Sequence, residues 1–482
     1  MNKKIVLLAT LFIMAVCNAQ DGANSKGSIY YNIFEKGSKE QQDSLTKEII
    51  ADGKVSKNET DLQLYYNLLN YRKLNTEAEA IQKRAIKIHP KGRIARSKEI
   101  DAFYKIESLK DKEKKYNAIL KKFTIANFPE DGVVYDYLTA ALAKEFVTIE
   151  QKDKALQYLD NLQEKFWRAQ GYIPVAEELL KQGDTTAALP LVKKSIEDAL
   201  FFVKGTDQSN KAKFAAVGYP GYVQIYAAVL LAKGQYEAAL NTLEEARAIV
   251  PERKKEFSAG YAKALKNVDR DLEAFTEYSS LYSTGQFNYQ TDVEELYVKL
   301  NKGQRTGLND YTEKLRADLK ESIKSHLSQI IIEKETPPFK LRNLNGDIVD
   351  SKSLIGKVVV LDFWATWCQP CIRSFPGMQK AVTKYANDAD VVFLFIDTWE
   401  RDEAYEQKVK DFIAKHNYSF NVLYDDGKTD SEVAPKFNIQ GIPAKFVIDK
   451  KGKIRFFLTG SSPYPDYILL ELTEMIERAK KG

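Results

Sequence analysis

Two cysteines three residues apart, Cys368 and Cys371, stand where a β-branched apolar run gives way to helical spacing. Val358-Val359-Val360-Leu361-Asp362-Phe363 reads as a strand buried on both faces, and residues 371 to 386 carry apolar positions at three- and four-residue steps. A strand that feeds directly into a helix fixes the chain between them, so Cys368 falls at the helix N-terminus. Free backbone N–H groups and the helix dipole there favour a thiolate. Cys371 lies one turn further in, within reach of Cys368 but shielded from solvent. That asymmetry suits thiol–disulfide exchange: an exposed thiolate forms a mixed disulfide and a second thiol resolves it. A zinc site would need two more ligands, and His89, His326 and His416 show no paired spacing. A purely structural disulfide three residues apart would constrain the unfolded chain little.

The rest of the cysteine inventory agrees. The chain of 482 residues has three cysteines, and Cys17 sits in an N-terminal segment with its own logic. Lys3 and Lys4 precede an apolar run from Ile5 to Val16, and Cys17-Asn18-Ala19 puts small residues before Gln20. This is the layout of a secretory signal peptide, too short for a comfortable membrane span. Residues 1–19 are expected to be removed, leaving a periplasmic or secreted protein. The alternative is a lipoprotein anchored at Cys17, although Val16 is a poor residue to precede a lipidated cysteine, and only that alternative involves a membrane. No other apolar run is expected to reach spanning length. A secreted chain that used disulfides as braces would carry more cysteines, so the remaining pair reads as working chemistry. A formal charge of +5 over this length, with no basic patch interleaved with aromatics, gives no support for nucleic-acid binding.

From about residue 28 to 330 the pattern is helix after helix, with no convincing alternation at period two. Ala239, Leu243, Ala246 and Pro251 after Gly234 resemble the second helix of a tetratricopeptide repeat. Gly183, Ala188, Val192 and Ser195 repeat the arrangement earlier, and Ala274, Tyr278 and Leu281 echo it later. Ala78, Gln82, Ala85 and Pro90 match near the start, and Ala155, Leu159 and Leu162 more loosely. Several intervals lie near the ~34 residues usual for that repeat. Small alanines let paired helices approach closely, and a solenoid of this kind presents a surface to a partner. The fold class expected is therefore multidomain: an N-terminal all-α, tetratricopeptide-like helical array over 20–330, then a C-terminal α/β domain over 331–482. Beyond the proline break Glu335-Thr336-Pro337-Pro338-Phe339, short apolar runs at 391–396 and 445–448 alternate with helical spacing at 403–416. Asn345-Gly346 and Lys451-Gly452 read as hairpin turns.

Residues 335–475 resemble the thioredoxin superfamily, and within it the extracytoplasmic TlpA/ResA-like thiol–disulfide oxidoreductases. Three blocks carry the likeness: Leu361 through Trp364-Ala365-Thr366-Trp367-Cys368-Gln369-Pro370-Cys371; Phe437-Asn438-Ile439-Gln440-Gly441-Ile442-Pro443-Ala444; and Phe446 through Asp449-Lys450-Lys451-Gly452-Lys453-Ile454. The resemblance implies a thioredoxin fold with Cys368 and Cys371 as a redox-active disulfide, and Asp362 as a buried acid that relays a proton from Cys371. It implies Trp367, Ile442 and the cis-proline Pro443 beside the site as substrate contacts. No cofactor and no metal are implied. The implied partners are a protein disulfide substrate and an extracytoplasmic electron donor, with a further protein partner on the helical array. Two departures stand out. The lysine that thioredoxin sets opposite its buried acid is replaced by Phe393 at the expected position. Ser374 stands where some relatives carry a glutamate, which weakens any link to cytochrome c maturation. Pro370 before the second cysteine resembles reducing members. A thiol peroxidase of the same fold would want a threonine farther from its cysteine than Thr366 lies from Cys368. A non-enzymatic alternative makes the helical array the working part and the C-terminal domain secondary.

Overall fold

The computed structural model describes residues 25–400, 404–426 and 432–482. The expected signal segment 1–19, with Cys17, lies outside the described residues. The chain divides into two compact units, one ending at Gly234 and one running from Gln235 to Gly482. From Lys26 to Ile330 every regular element among the described residues is helical, as the spacing of apolar residues predicts. A helical array thus precedes a mixed α/β sheet domain.

In the first unit several helices begin on side-chain caps, among them those capped by Ser25, Ser38, Asn58 and Ser108. Ser38 and Gln41 satisfy one another's backbone N–H groups in a reciprocal capping box at the start of Lys39–Val55. Helix Asn75–Ile88 buries Ala78, Ile81 and Ala85, and helix Thr185–Lys204 buries Ala188, Val192 and Ser195. Alanine at these buried positions allows backbones to pack closely. Gly183, at φ +81°, turns the chain from the helix ending at Lys181 into the one beginning at Thr185, a backbone that glycine adopts without penalty. One cluster gathers Leu62, Tyr65 and Leu68, and another Leu138, Leu142 and Val175. Contrary to the expectation that no later run is long enough, residues 210–232 reach membrane-spanning length and apolarity. Gly218 and Pro220 interrupt them, giving helices Asn210–Val217 and Tyr219–Ala232, and half of the run is buried within the array.

The second unit opens with helix Tyr236–Ile249, which buries Ala239, Leu243 and Ala246. Three further α-helices lead to a 23-residue helix, α1 (Leu308–Ile330). An eight-stranded sheet follows, in the order β1-β8-β7-β4-β5-β6-β2-β3. Its strands are β1 (Lys334–Glu335), β2 (Lys340–Asn343), β3 (Ile348–Asp350), β4 (Val358–Trp364), β5 (Val391–Asp397), β6 (Val422–Tyr424), β7 (Ala444–Ile448) and β8 (Lys453–Thr459). β4, β5 and β6 are parallel neighbours, and the other pairings are antiparallel. The two expected hairpin turns join β2 to β3 and β7 to β8. The α-helices of this region are α2 (Gln369–Lys384), α3 (Tyr405–His416), α4 (Val433–Lys436) and α5 (Pro465–Lys481).

β4 is buried along its whole length because both faces are covered. Val359, Leu361 and Phe363 point into one core with Phe339, Val433 and Phe446. Val358, Val360 and Trp364 point into the other, with Cys371, Phe375 and Met378 of α2 and Leu472 and Met475 of α5. α1 joins this second core through Leu319, Ile323 and Leu327, a stripe at four-residue spacing. Arg478 of α5 fastens it, donating to the Ser328 hydroxyl and the Lys324 carbonyl at 2.8 Å each. Gly377 on α2 marks a close crossing, since a Cβ there would meet the Ile468 side chain at 2.8 Å and the Pro465 backbone at 3.0 Å.

Candidate active site

Cys368 is the N-cap of α2, and it is bonded to Cys371 with an S–S distance of 1.98 Å. The Cys371 N–H lies 3.2 Å from the Cys368 Sγ and the Ile372 N–H donates to the Cys368 carbonyl at 3.0 Å. A sulfur held here faces the positive end of the helix and the Cys371 amide, which has no partner within the helix. Pro370 occupies the first turn, where its missing N–H costs nothing. The pair is less asymmetric than the sequence suggests. Cys371 is fully buried, but Cys368 is itself only 3% exposed. The disulfide draws it against the core, and the Ile442 carbonyl oxygen lies 3.6 Å from its Sγ. The Ile442–Pro443 bond is cis. The Ser374 hydroxyl donates to the Cys371 carbonyl at 2.7 Å within the helix.

Asp362 occupies the position between Val360 and Trp364 on β4, so strand alternation turns it to the same core as Cys371. It is 1% exposed, and neither carboxylate oxygen has a hydrogen-bond partner. Its counter-charge is Lys445, 3% exposed, whose Nζ lies 3.3 Å from Oδ1 without hydrogen-bond geometry. Burial pushes the Asp362 carboxyl above its ordinary range, and the Lys445 ammonium pulls partly against it. The lysine read as missing is therefore present, on the other neighbour of β4. Phe393 pairs with Val360 in β5, whereas Lys445 pairs directly with Asp362 from β7. Strand order, which the sequence does not state, decides which residue faces the acid.

On the far side of the cysteine loop, the segment after β5 is tied to it three times. The Thr398 N–H donates to the Trp364 carbonyl at 2.9 Å, and the Trp367 indole N–H to the Trp399 carbonyl at 3.0 Å. The Thr366 N–H donates to a Glu400 carboxylate oxygen. Trp367 is half-buried, whereas Trp364 is wholly buried against Phe375. Asp397, at the end of β5, is also buried, and burial followed by the neighbouring Glu400, Asp425 and Asp426 charges holds its carboxyl well above the usual range. The Asp425 carboxylate in turn accepts from the Thr398 hydroxyl at 2.9 Å and from the first amides of α4. Sequence reasoning brought Cys368, Cys371, Asp362, Trp367, Ile442 and Pro443 into view but missed Lys445, Trp399 and Glu400. The register of β7 and the positive φ of Trp399 are structural signals with no sequence counterpart. A cavity of about 190 Å³, lined by Phe339, Leu354, Val359 and Ile448 among others, lies toward the opposite end of β4.

These features define a thioredoxin-type fold with a dithiol/disulfide pair at the strand-to-helix junction. The family model described as AhpC/TSA family matches residues 332–457. The thiol-disulfide oxidoreductase ResA of Bacillus thuringiensis subsp. konkukian is 35% identical over 123 residues, 26% of this chain and 66% of that protein. The thioredoxin-like protein YneN of Bacillus subtilis is 30% identical over 127 residues, 26% of this chain and 71% of that protein. The crystal structure of StoA from Bacillus subtilis aligns at 23% identity and a TM-score of 0.24, covering 28% of this chain and 96% of that one. Through its C-terminal region the chain belongs to the thioredoxin-like family, and it is similar to the thiol–disulfide oxidoreductases named ResA. It spans 66% of the length of these ResA relatives.

Proposed function

We propose that the chain reduces protein disulfides outside the cytoplasm through Cys368 and Cys371, and that its tetratricopeptide-like helical array recruits the partner. The observation that carries this reading is the pair's position at the head of α2, with the Cys371 amide 3.2 Å from the Cys368 sulfur and Asp362 buried on the strand beneath. The Cys368 thiolate attacks one sulfur of the substrate disulfide, that S–S bond breaks, and one substrate thiolate leaves. Cys371 gives its proton to ionised Asp362 and attacks the Cys368 sulfur, which releases the second substrate thiolate. The substrate gains two electrons and the pair becomes the disulfide seen here. An external thiol donor then restores it. Ile442 and Pro443 edge the site where the substrate chain lies, and Trp367 flanks it.

Secretion after loss of residues 1–19 fits an extracytoplasmic reductant, and lipidation of Cys17 is the competing arrangement. Intact-mass measurement of the N-terminal peptide from the native host distinguishes them by a diacylglyceryl mass on Cys17. The enzymatic reading is tested by insulin reduction with dithiothreitol as donor. Wild type is expected to turn over, Cys368→Ser to be inactive, and Cys371→Ser to accumulate the mixed disulfide. Equal rates in wild type and Cys368→Ser would leave the helical array as the working part. Because the matching family is described as AhpC/TSA, hydrogen peroxide belongs in the same assay, and faster turnover of peroxide than of insulin would favour a peroxidase.

A further inference from the structure

Trp399 combines three properties that packing alone does not ask of a tryptophan. Its backbone is left-handed, at φ +55°, a conformation bulky L-residues seldom adopt and one that clusters at functional sites. Glycine or asparagine would take it more readily. Its side chain is 36% exposed, so burial does not repay the conformation. Its carbonyl and the residues on either side of it are fixed to the cysteine loop by the bonds to Trp367, Trp364 and Thr366.

The sheet sets where this residue stands. β7 runs antiparallel to β4, with Ala444 opposite Phe363, so Ile442 and Pro443 border one side of the loop that carries Cys368. β5 runs parallel to β4, with Asp397 opposite Trp364, so Trp399 borders the other side. Across the loop from Ile442–Pro443, where a substrate chain bonded to Cys368 would lie, stand Trp399 and Trp367. Both are aromatic, and the half-buried Ile442 adds to an apolar rim.

We propose that Trp399 is a specificity-determining residue that receives an aromatic or large apolar side chain next to the reacting cysteine of the substrate. This rests on the reductase reading above. The test uses the full chain, dithiothreitol as donor, and two disulfide-bonded peptides that differ only in phenylalanine or serine beside the cysteine. Wild type is expected to favour the phenylalanine peptide by about tenfold in kcat/KM, the scale of one apolar contact. Trp399→Phe should keep most of that ratio. Trp399→Asn accepts the same backbone and keeps the carbonyl that binds Trp367, so it should bring the ratio near one, mainly through KM. An unchanged ratio in Trp399→Asn overturns the proposal. Equal turnover of both peptides by wild type overturns it while leaving the reductase reading intact, whereas turnover of neither overturns both.

Discussion

Asp362 and Lys445 face one another across β4 and β7 with almost no water to stabilise either charge. Taking two charges out of water costs more than an imperfect contact returns, so the pair is weak evidence for stability and better evidence for proton chemistry. In the proposed reaction, resolution of the mixed disulfide needs Asp362 ionised to accept the Cys371 proton, so its rate should fall as pH drops through the Asp362 pKa. The Lys445 ammonium pulls this pKa down against burial. Lys445→Met should therefore raise it further and move the acidic limb of the pH–rate profile to higher pH. Release of product from a preformed mixed disulfide, followed against pH, checks this, and an unmoved limb would refute the coupling. The same raised pKa has a signed effect on folding. Its contribution is full below the ordinary carboxylate range and is lost as pH rises through the Asp362 value. Asp362→Asn combined with Lys445→Met removes both charges, so the double variant should lack that decline. At pH 7 it should be as stable as wild type or more so, by up to about 4 kcal/mol in urea unfolding.

Among the elements, α2 and α5 come together where Gly377 leaves no side chain between them. A methyl there would press on Ile468 and on the Pro465 backbone, which cannot swing aside. Gly377→Ala should therefore cost about 1–3 kcal/mol in denaturant unfolding despite alanine's better helix propensity. An increase in stability would show that the crossing relaxes freely. The elements themselves were largely legible in sequence, because β4, β5 and β7 are predominantly apolar runs and Asn345-Gly346 and Lys451-Gly452 mark turns. What was not legible is which element meets which. Phe393 and Lys445 both lie on neighbours of β4, and only the register shows that Lys445 is the one opposite Asp362. The stripe Leu319, Ile323, Leu327 likewise declares that α1 is buried on one side without saying that α5 lies against it. Periodicity reports a face, not what covers it. The junction that carries Cys368 and Cys371 was legible because strand, turn and helix are contiguous there. Trp399 escaped notice because it comes from a different connection, 31 residues beyond Cys368 in sequence.

Across the whole chain, the apolar clusters divide the labour between the two units. The redox pair belongs to a cluster drawn entirely from the second unit, including Leu327 of α1. Leu142 and Val175 belong to one drawn entirely from the first. Substitutions in separate cores with no shared partners act independently. Leu142→Ala should cost the first unit about 2–5 kcal/mol, as truncation of a fully buried leucine does. It should leave reduction of a small-molecule disulfide by the Cys368 pair unchanged. Leu327→Ala, at a similar cost, removes packing from the core that holds the pair and should slow both substrates as temperature rises. The informative measurement is the partner captured by Cys371→Ser in the native host, assayed as a substrate against the small disulfide. If the helical array recruits that protein, heating the Leu142→Ala chain until its first unit loosens should slow the protein substrate selectively. Equal rates on the captured partner in wild type and Leu142→Ala at that temperature would assign recognition to the second unit alone.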